Sequence, residues 1–293
     1  MKPPRLEEKN LGRLLCLPAL IAMIVVTAYP ILDACRLSLF RYDLRFPGNR
    51  AFVGLDNYLS VLGSPVWWEA LLNTLIITVC SVAAELVLGM ALALVMHRAI
   101  VGRRLVRAAV LIPYGIITVV AAITWKFAFA PTTGFVNSWT GLDLSWFGAR
   151  GTAFFVIILT EIWKTTPFMS LLLLAGLTMV PDDLLKAARV DGASARQRFT
   201  LIVLPIMKPA IAVALLFRSL DAFRIFDTVF IQTRGAHGTE TVSIVGYHAL
   251  ISRLNLGLGS AVSILIFCCV LLIAAACLRG FGIAGMLTGG EEP

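Results

Sequence analysis

The chain has 293 residues, 59% of them hydrophobic and 14% charged. Soluble domains run at about 45–50% and about 25%, so the surplus is too large for one soluble core. The net charge of +8 lies in short clusters between apolar runs, not in one basic face, which excludes nucleic acid as a partner.

Apolar runs predict spans over residues 14–40, 68–97, 104–130, 152–180, 203–225 and 256–278. Each can cross a hydrocarbon layer of about 30 Å at about 1.5 Å per helical residue. The fold class is therefore an all-α integral membrane protein with about six transmembrane helices. The first and fifth runs are long for simple spans and extend beyond the hydrocarbon as helix.

Residues 1–13 form a cytoplasmic N-terminus, 14–280 the membrane domain and 281–293 a cytoplasmic tail. Orientation follows from the basic residues. With both termini inside, the cytoplasmic segments carry Lys2, Arg5, Lys9, Arg13, Arg98, Arg103, Arg104, Arg107, Lys186, Arg189, Arg196, Arg198, Lys208 and Arg279. The outer segments carry only Arg41, Arg45, Arg50, Arg150, Arg234 and Arg253. The basic start has no cleavage site after its apolar stretch and reads as an uncleaved first helix. Trp67, Trp68, Trp139 and Trp146 sit near helix ends, where amphipathic rings favour the interface. The six cysteines lie in or beside apolar runs and read as small buried filler, without metal-ligand spacing.

Between the fourth and fifth runs, Pro181 to Pro205 is polar and punctuated. Pro181 with Asp182 and Asp183 starts a short helix, acid at its positive end. Leu184, Ala187 and Ala188 fall on one side, Gly192 permits a sharp turn, and a second short helix passes through Phe199 to Leu204 before Pro205 opens the next span. The product is a helix-turn-helix knob at the cytoplasmic membrane surface.

This segment resembles the coupling loop, or EAA motif, of permease subunits in bacterial ATP-binding-cassette (ABC) importers. Ala187, Ala188, Asp191, Gly192, Ala193, Leu204 and Pro205 match, and Lys186 stands where the family has glutamate, reversing a charge at the expected ATPase contact. The likeness continues through Tyr29-Pro30, Phe52 to Tyr58, Asn73-Thr74, Pro113, Trp125, Gly134, Asn137, Phe226-Asp227 and Thr233. Arg234 to His237 replaces the usual Gly-Gly-Pro turn. The resemblance is closest to the carbohydrate branch, including the trehalose importer permeases of mycobacteria.

It implies a type I importer permease fold and a set of partners: a second permease, an ATPase dimer and an extracytoplasmic sugar-binding protein or lipoprotein. The ATPases would bind ATP and Mg, and this chain would have no cofactor. It has no G-x-x-x-x-G-K-[ST] segment and is expected to be a transport subunit, not an enzyme. The implied ATPase-coupling residues are Lys186, Ala187, Ala188, Asp191, Gly192 and Ala193.

Ionisable residues at membrane depth cost at least about 2.5 kcal/mol each and ask for a partner or a polar cavity. Glu161 and Lys164 lie three apart, as do Arg218, Asp221, Arg224 and Asp227. Two readings stand: self-neutralising pairs that lock the helices, or a translocation path with aromatic help from Trp163, Phe168, Phe223 and Phe226. The resemblance places substrate contacts on the helices flanking the loop, implying Glu161, Lys164, Thr165, Phe168, Asp221, Arg224 and Ile225. Glu85, alone in its run, reads as an interhelix hydrogen-bonding group. Metal ligation and hydrolase chemistry find no residue pattern. The implied substrate is a disaccharide, an oligosaccharide or a glycerol-phosphate compound, with trehalose the foremost. The rivals are an ion-coupled secondary transporter and a membrane enzyme acting on lipid-linked sugars.

Overall fold

A computed structural model describes residues 8–98 and 102–280, with side chains from residue 15. The expected cytoplasmic ends, 1–13 and 281–293, lie largely outside the described residues.

In chain order, α1 (Glu8–Ser38) leads through a two-stranded antiparallel ribbon, β1 (Phe40–Arg41) and β2 (Ala51–Phe52), to α2 (Asp56–Leu62). Next come α3 (Pro65–Arg98), α4 (Arg103–Gly115), α5 (Thr118–Ala128), α6 (Phe135–Thr140) and α7 (Arg150–Leu177). Then follow α8 (Asp182–Val190), α9 (Ala195–Arg198), α10 (Leu204–Phe223), α11 (Asp227–Gln232), α12 (Val242–Tyr247) and α13 (Leu256–Gly280). Five helical stretches are long and apolar enough to cross a membrane, and α4 with α5 makes six if that pair is one span.

That pair corrects the expected straight span over 104–130: the chain bends by 85° between Gly115 and Thr118. Ile116 and Ile117 are extended, with ψ of 135° and 134°. Gly115, two β-branched isoleucines and Pro113 just upstream all weaken helix propagation there. Contacts group the chain into two compact units, one holding residues up to Ser64 with Gly246–Leu265, the other Pro65–Val245 and residues from Ile266 on.

In the first unit the Phe52–Tyr58 motif has a structural purpose. Gly54 turns at φ +58°, and Asn57 donates to the carbonyls of Ser38 and Phe40 at 2.7 and 2.9 Å. The Tyr58 hydroxyl meets that of Ser38 at 2.7 Å. Gly257 lies so close to the ribbon that a Cβ there would collide with the Phe40 carbonyl oxygen. Beside it, the Arg45 side chain hydrogen-bonds Asp43 and holds its carboxyl below the usual carboxylate range.

The second unit is built on α3, α7 and α10. Small residues set the approach: a Cβ on Gly89 would lie 2.8 Å from Met169 Cγ, and one on Gly176 would lie 2.5 Å from Ala210 Cβ. Helices in lipid pack through such small residues because dispersion replaces the hydrophobic drive. Asn73 on α3 pins the segment after α11, donating to the carbonyls of Gly238 and Glu240 at 3.0 and 2.8 Å. Where Arg234 to His237 departs from the family turn, left-handed backbone at Arg234, Gly235 and His237 makes the bend.

Two expectations about surface and core are corrected. The cysteines are not buried filler: Cys16, Cys80 and Cys268 are exposed and the others half-buried, on faces that lipid or another chain can cover. Trp67 is buried, whereas Trp68 and Trp139 are exposed.

Candidate functional site

A cavity of about 440 Å³ opens in the second unit. Glu161, Lys164 and Thr165 of α7 form one wall, and Asp221, Arg224 and Ile225 at the end of α10 another. Phe226, Asp227 and Thr228 close a third side, and the break between α4 and α5 adds Tyr114 and Thr118. The predicted residues of α7 and α10 therefore come together, with the exception of Phe168. That ring stacks on Tyr114 at 5.5 Å and 16°, backing the wall instead of lining it. Nor do Trp163 and Phe223 reach the cavity: Trp163 packs edge-on to Trp125, and Phe223 is fully buried.

Beneath the cavity lies a charge network centred on Arg218, whose side chain is 1% exposed. Its Nε donates to Glu85 Oε2 at 2.5 Å, its Nη2 to Glu85 Oε1 at 3.0 Å and to Glu161 Oε2 at 3.1 Å, and its Nη1 to Asp221 Oδ2 at 2.8 Å. Thr165 donates to Glu85 Oε1 at 2.7 Å, and Thr228 to Glu161 Oε1 at 2.5 Å. One guanidinium thus joins α3, α7 and α10. Buried charges persist in low dielectric only when paired and hydrogen-bonded in this way.

The two readings of the charged residues divide between them. Arg218, Glu85 and Glu161 lock helices together. Asp221 belongs to both sets, bonded to Arg218 yet 70% exposed at the side chain. Among the described residues Lys164, Arg224 and Asp227 have no ion-pair partner and face the cavity. The expected Glu161–Lys164 pair does not form. Instead the Lys164 ammonium lies 5.5 Å from the Tyr114 ring centre, a cation–π contact. The ladder from 218 to 227 also breaks, because α10 ends at Phe223 and α11 restarts at Asp227. The cavity thereby offers carboxylates, cations, hydroxyls and aromatic faces together, donors and acceptors suited to a polar, hydroxyl-rich molecule.

The knob has its own geometry. Residue Ala193 donates its N–H to the Ala188 carbonyl at 2.9 Å, and Gly192 to that of Arg189 at 3.1 Å, with Gly192 at φ +79°. This paired closure is a Schellman motif, and its left-handed position suits glycine. Ser194 and Gln197 then form a capping box, so the second limb starts at Ala195, earlier than Phe199 as expected. It runs through a π-turn at Phe199–Val203 straight into α10. Pro205, lacking an N–H, sits in the first turn of α10, where that loss is tolerated. Leu185 and Ala188, not Leu184, turn inward from α8, and Val190 is 88% exposed. Lys186 is bonded to Asp183 at 2.9 Å on the exposed surface. No backbone break separates α9 from α10, and α7 leads within a few residues into α8.

Tyr114, Thr118 and Thr228 escaped the sequence reading. Only the Pro-Tyr-Gly run followed by β-branched residues signalled a broken helix there.

This is the fold of a membrane permease with a polar cavity between the helices that bracket a surface knob. The chain belongs to the family of binding-protein-dependent transport system inner membrane components, which matches residues 85–287. It is 53% identical over 287 residues to the trehalose transport system permease protein SugA of Mycobacterium tuberculosis, covering 98% of this chain and 93% of that one. It is 41% identical over 273 residues to the trehalose/maltose transport system permease protein MalF of Thermococcus litoralis, covering 90% and 91%. Among solved structures, a bacterial ABC transporter involved in import of the acidic polysaccharide alginate superposes with a TM-score of 0.79. That match is at 24% identity over 92% of this chain and 94% of that one, a likeness of fold.

Proposed function

We propose that this chain is one of two permease subunits of an ATP-driven importer for a disaccharide, trehalose foremost, in the cytoplasmic membrane of a bacterium. The observation that carries the reading is the continuity of α7–α8 and α9–α10 with both main walls of the cavity. Any push on the knob is delivered to the residues around the substrate. Lys186, Ala187, Ala188, Asp191, Gly192 and Ala193 present the knob to an ATPase dimer, which binds ATP and Mg. Both termini and the knob face the cytoplasm, and an extracytoplasmic sugar-binding protein delivers the substrate to the other side.

Within the cavity, Glu161, Asp221 and Asp227 accept from sugar hydroxyls while Lys164 and Arg224 donate to them. Tyr114, braced by Phe168, and Phe226 offer ring faces to the pyranose. The Lys186–Asp183 pair places a cation next to the ATPase where the family has an acid, so the facing group on the ATPase is acidic. The names of the SugA and MalF relatives support trehalose over other sugars, and their high coverage supports the same subunit role.

The test is uptake of labelled trehalose into proteoliposomes holding this chain, its partner permease and ATPase, with the binding protein supplied outside. Uptake is expected to require Mg-ATP and to survive a protonophore. Collapse with the protonophore, or uptake without ATP, would replace this reading with ion-coupled transport.

A further inference from the structure

The end of the second unit that carries α8 holds another cavity, of about 550 Å³, which transport as described leaves unused. Its rim is basic: Arg98 ends α3, Arg107 lies on α4, Arg189 on the last turn of α8, and Arg198 closes α9. His97 adds an imidazole, and Asp182 is the lining's single acid. Among the described residues Arg98, Arg107 and Arg189 make no ion pair. Arg198 directs one N–H to the Ala193 carbonyl. Several guanidinia converging on one cleft with so little acid create a positive potential that draws an anion.

The deeper lining is of the opposite character. Leu94, Leu177, Val180, Leu185, Phe199 and Val203 face the same cleft, and Leu177, Val180 and Val203 belong to the buried core. A cationic mouth over an apolar floor, at the ends of helices that cross a membrane, matches a phospholipid. Phosphate oxygens take paired guanidinium hydrogen bonds, and an acyl segment covers the floor. Free phosphate or an acidic peptide would satisfy the rim and leave the apolar floor in water.

We infer that this cleft binds an anionic phospholipid, its phosphate among Arg98, Arg107 and Arg189 and its acyl chain against Leu94, Leu177 and Phe199. Since the walls come from α3, α4, α7 and α8, the lipid ties the knob to the membrane-crossing helices and restrains α8. The inference needs a chain that spans a membrane, and stands apart from which substrate it carries.

The test uses the assembled transporter in nanodiscs of phosphatidylcholine with increasing phosphatidylglycerol. Lipid that survives detergent exchange is counted by native mass spectrometry. Retained phosphatidylglycerol is expected to fall at least about tenfold in R98Q/R107Q/R189Q, from the loss of three interfacial cations. It should hold in R41Q/R50Q/R253Q, whose changes lie elsewhere, and largely recover in R98K/R107K/R189K, which keeps the charges and guards against a folding defect. Equal retention by the wild type and the glutamine triple would overturn the inference. So would complete displacement of the lipid by inorganic phosphate, which assigns the cleft to a free anion. Loss of the ATPase subunits from the glutamine triple with lipid unchanged assigns it to a protein partner, and also overturns it.

Discussion

Arg218 shows how much one side chain can organise. Its partners Glu85 and Glu161 lie 133 and 57 residues away in sequence, yet three helices meet on its guanidinium. Glu85→Ala leaves a buried cation short of its closest carboxylate, and stability should fall by about 3–5 kcal/mol. A thermal melt of the detergent-purified chain reads this directly. The double variant Glu85→Leu with Arg218→Leu should recover part of the loss, because no buried guanidinium is then left wanting. A double variant as unstable as the single would show that the pairing is not the source. At the cavity wall, Tyr114→Ala removes the ring that faces Lys164. The apparent KM for trehalose should rise about two- to fivefold, the scale of one cation–π contact, with the ATPase rate of the complex unchanged. Equal KM values would take Tyr114 out of the substrate path. Glu85 and the spaced charges from 218 to 227 were visible in sequence as costly residues at membrane depth. Which acid met which cation was not, because three-residue spacing promises neighbours on one helix and cannot report partners on another.

At the level of elements, the knob and the helix contacts fail in different ways. Gly192 has open space where a Cβ would stand, so Gly192→Val adds backbone strain alone, about 1–2 kcal/mol for a left-handed residue. Membrane insertion and melting should change little while ATP-driven uptake is lost, measured on one preparation. Normal uptake would remove the knob from the coupling role. Gly176 is the contrasting case, since a Cβ would strike Ala210 at 2.5 Å. Gly176→Leu forces α7 and α10 apart, and an overpacking cost of about 1–3 kcal/mol or more should appear as a lower melting temperature. The turn at Gly192 could be read from its flanking residues, as helix signals are local. The 85° break at Ile116–Ile117 could not, since hydropathy stays high across it and reports burial in lipid, not direction.

For the molecule as a whole, orientation ties the membrane topology to the energy source. Val190, 88% exposed at the tip of the knob, is a suitable reporter. In a cysteine-free background, V190C should react with an impermeant maleimide only after the membrane is opened. Labelling of intact cells would place the knob outside and end the ATPase-docking proposal. The sequence by itself determined the solvent, the approximate number of crossings, the knob and the pair of helices that carry the cavity. These follow from hydropathy, charge bias and turn chemistry, all set by residues close in the chain. Only the tertiary structure decided that Arg218 is a structural hub, that Lys164 and Arg224 stay unpaired, and that Tyr114 joins the wall. Those outcomes depend on side chains from distant segments competing for the same partners at short range, and no local pattern records who wins.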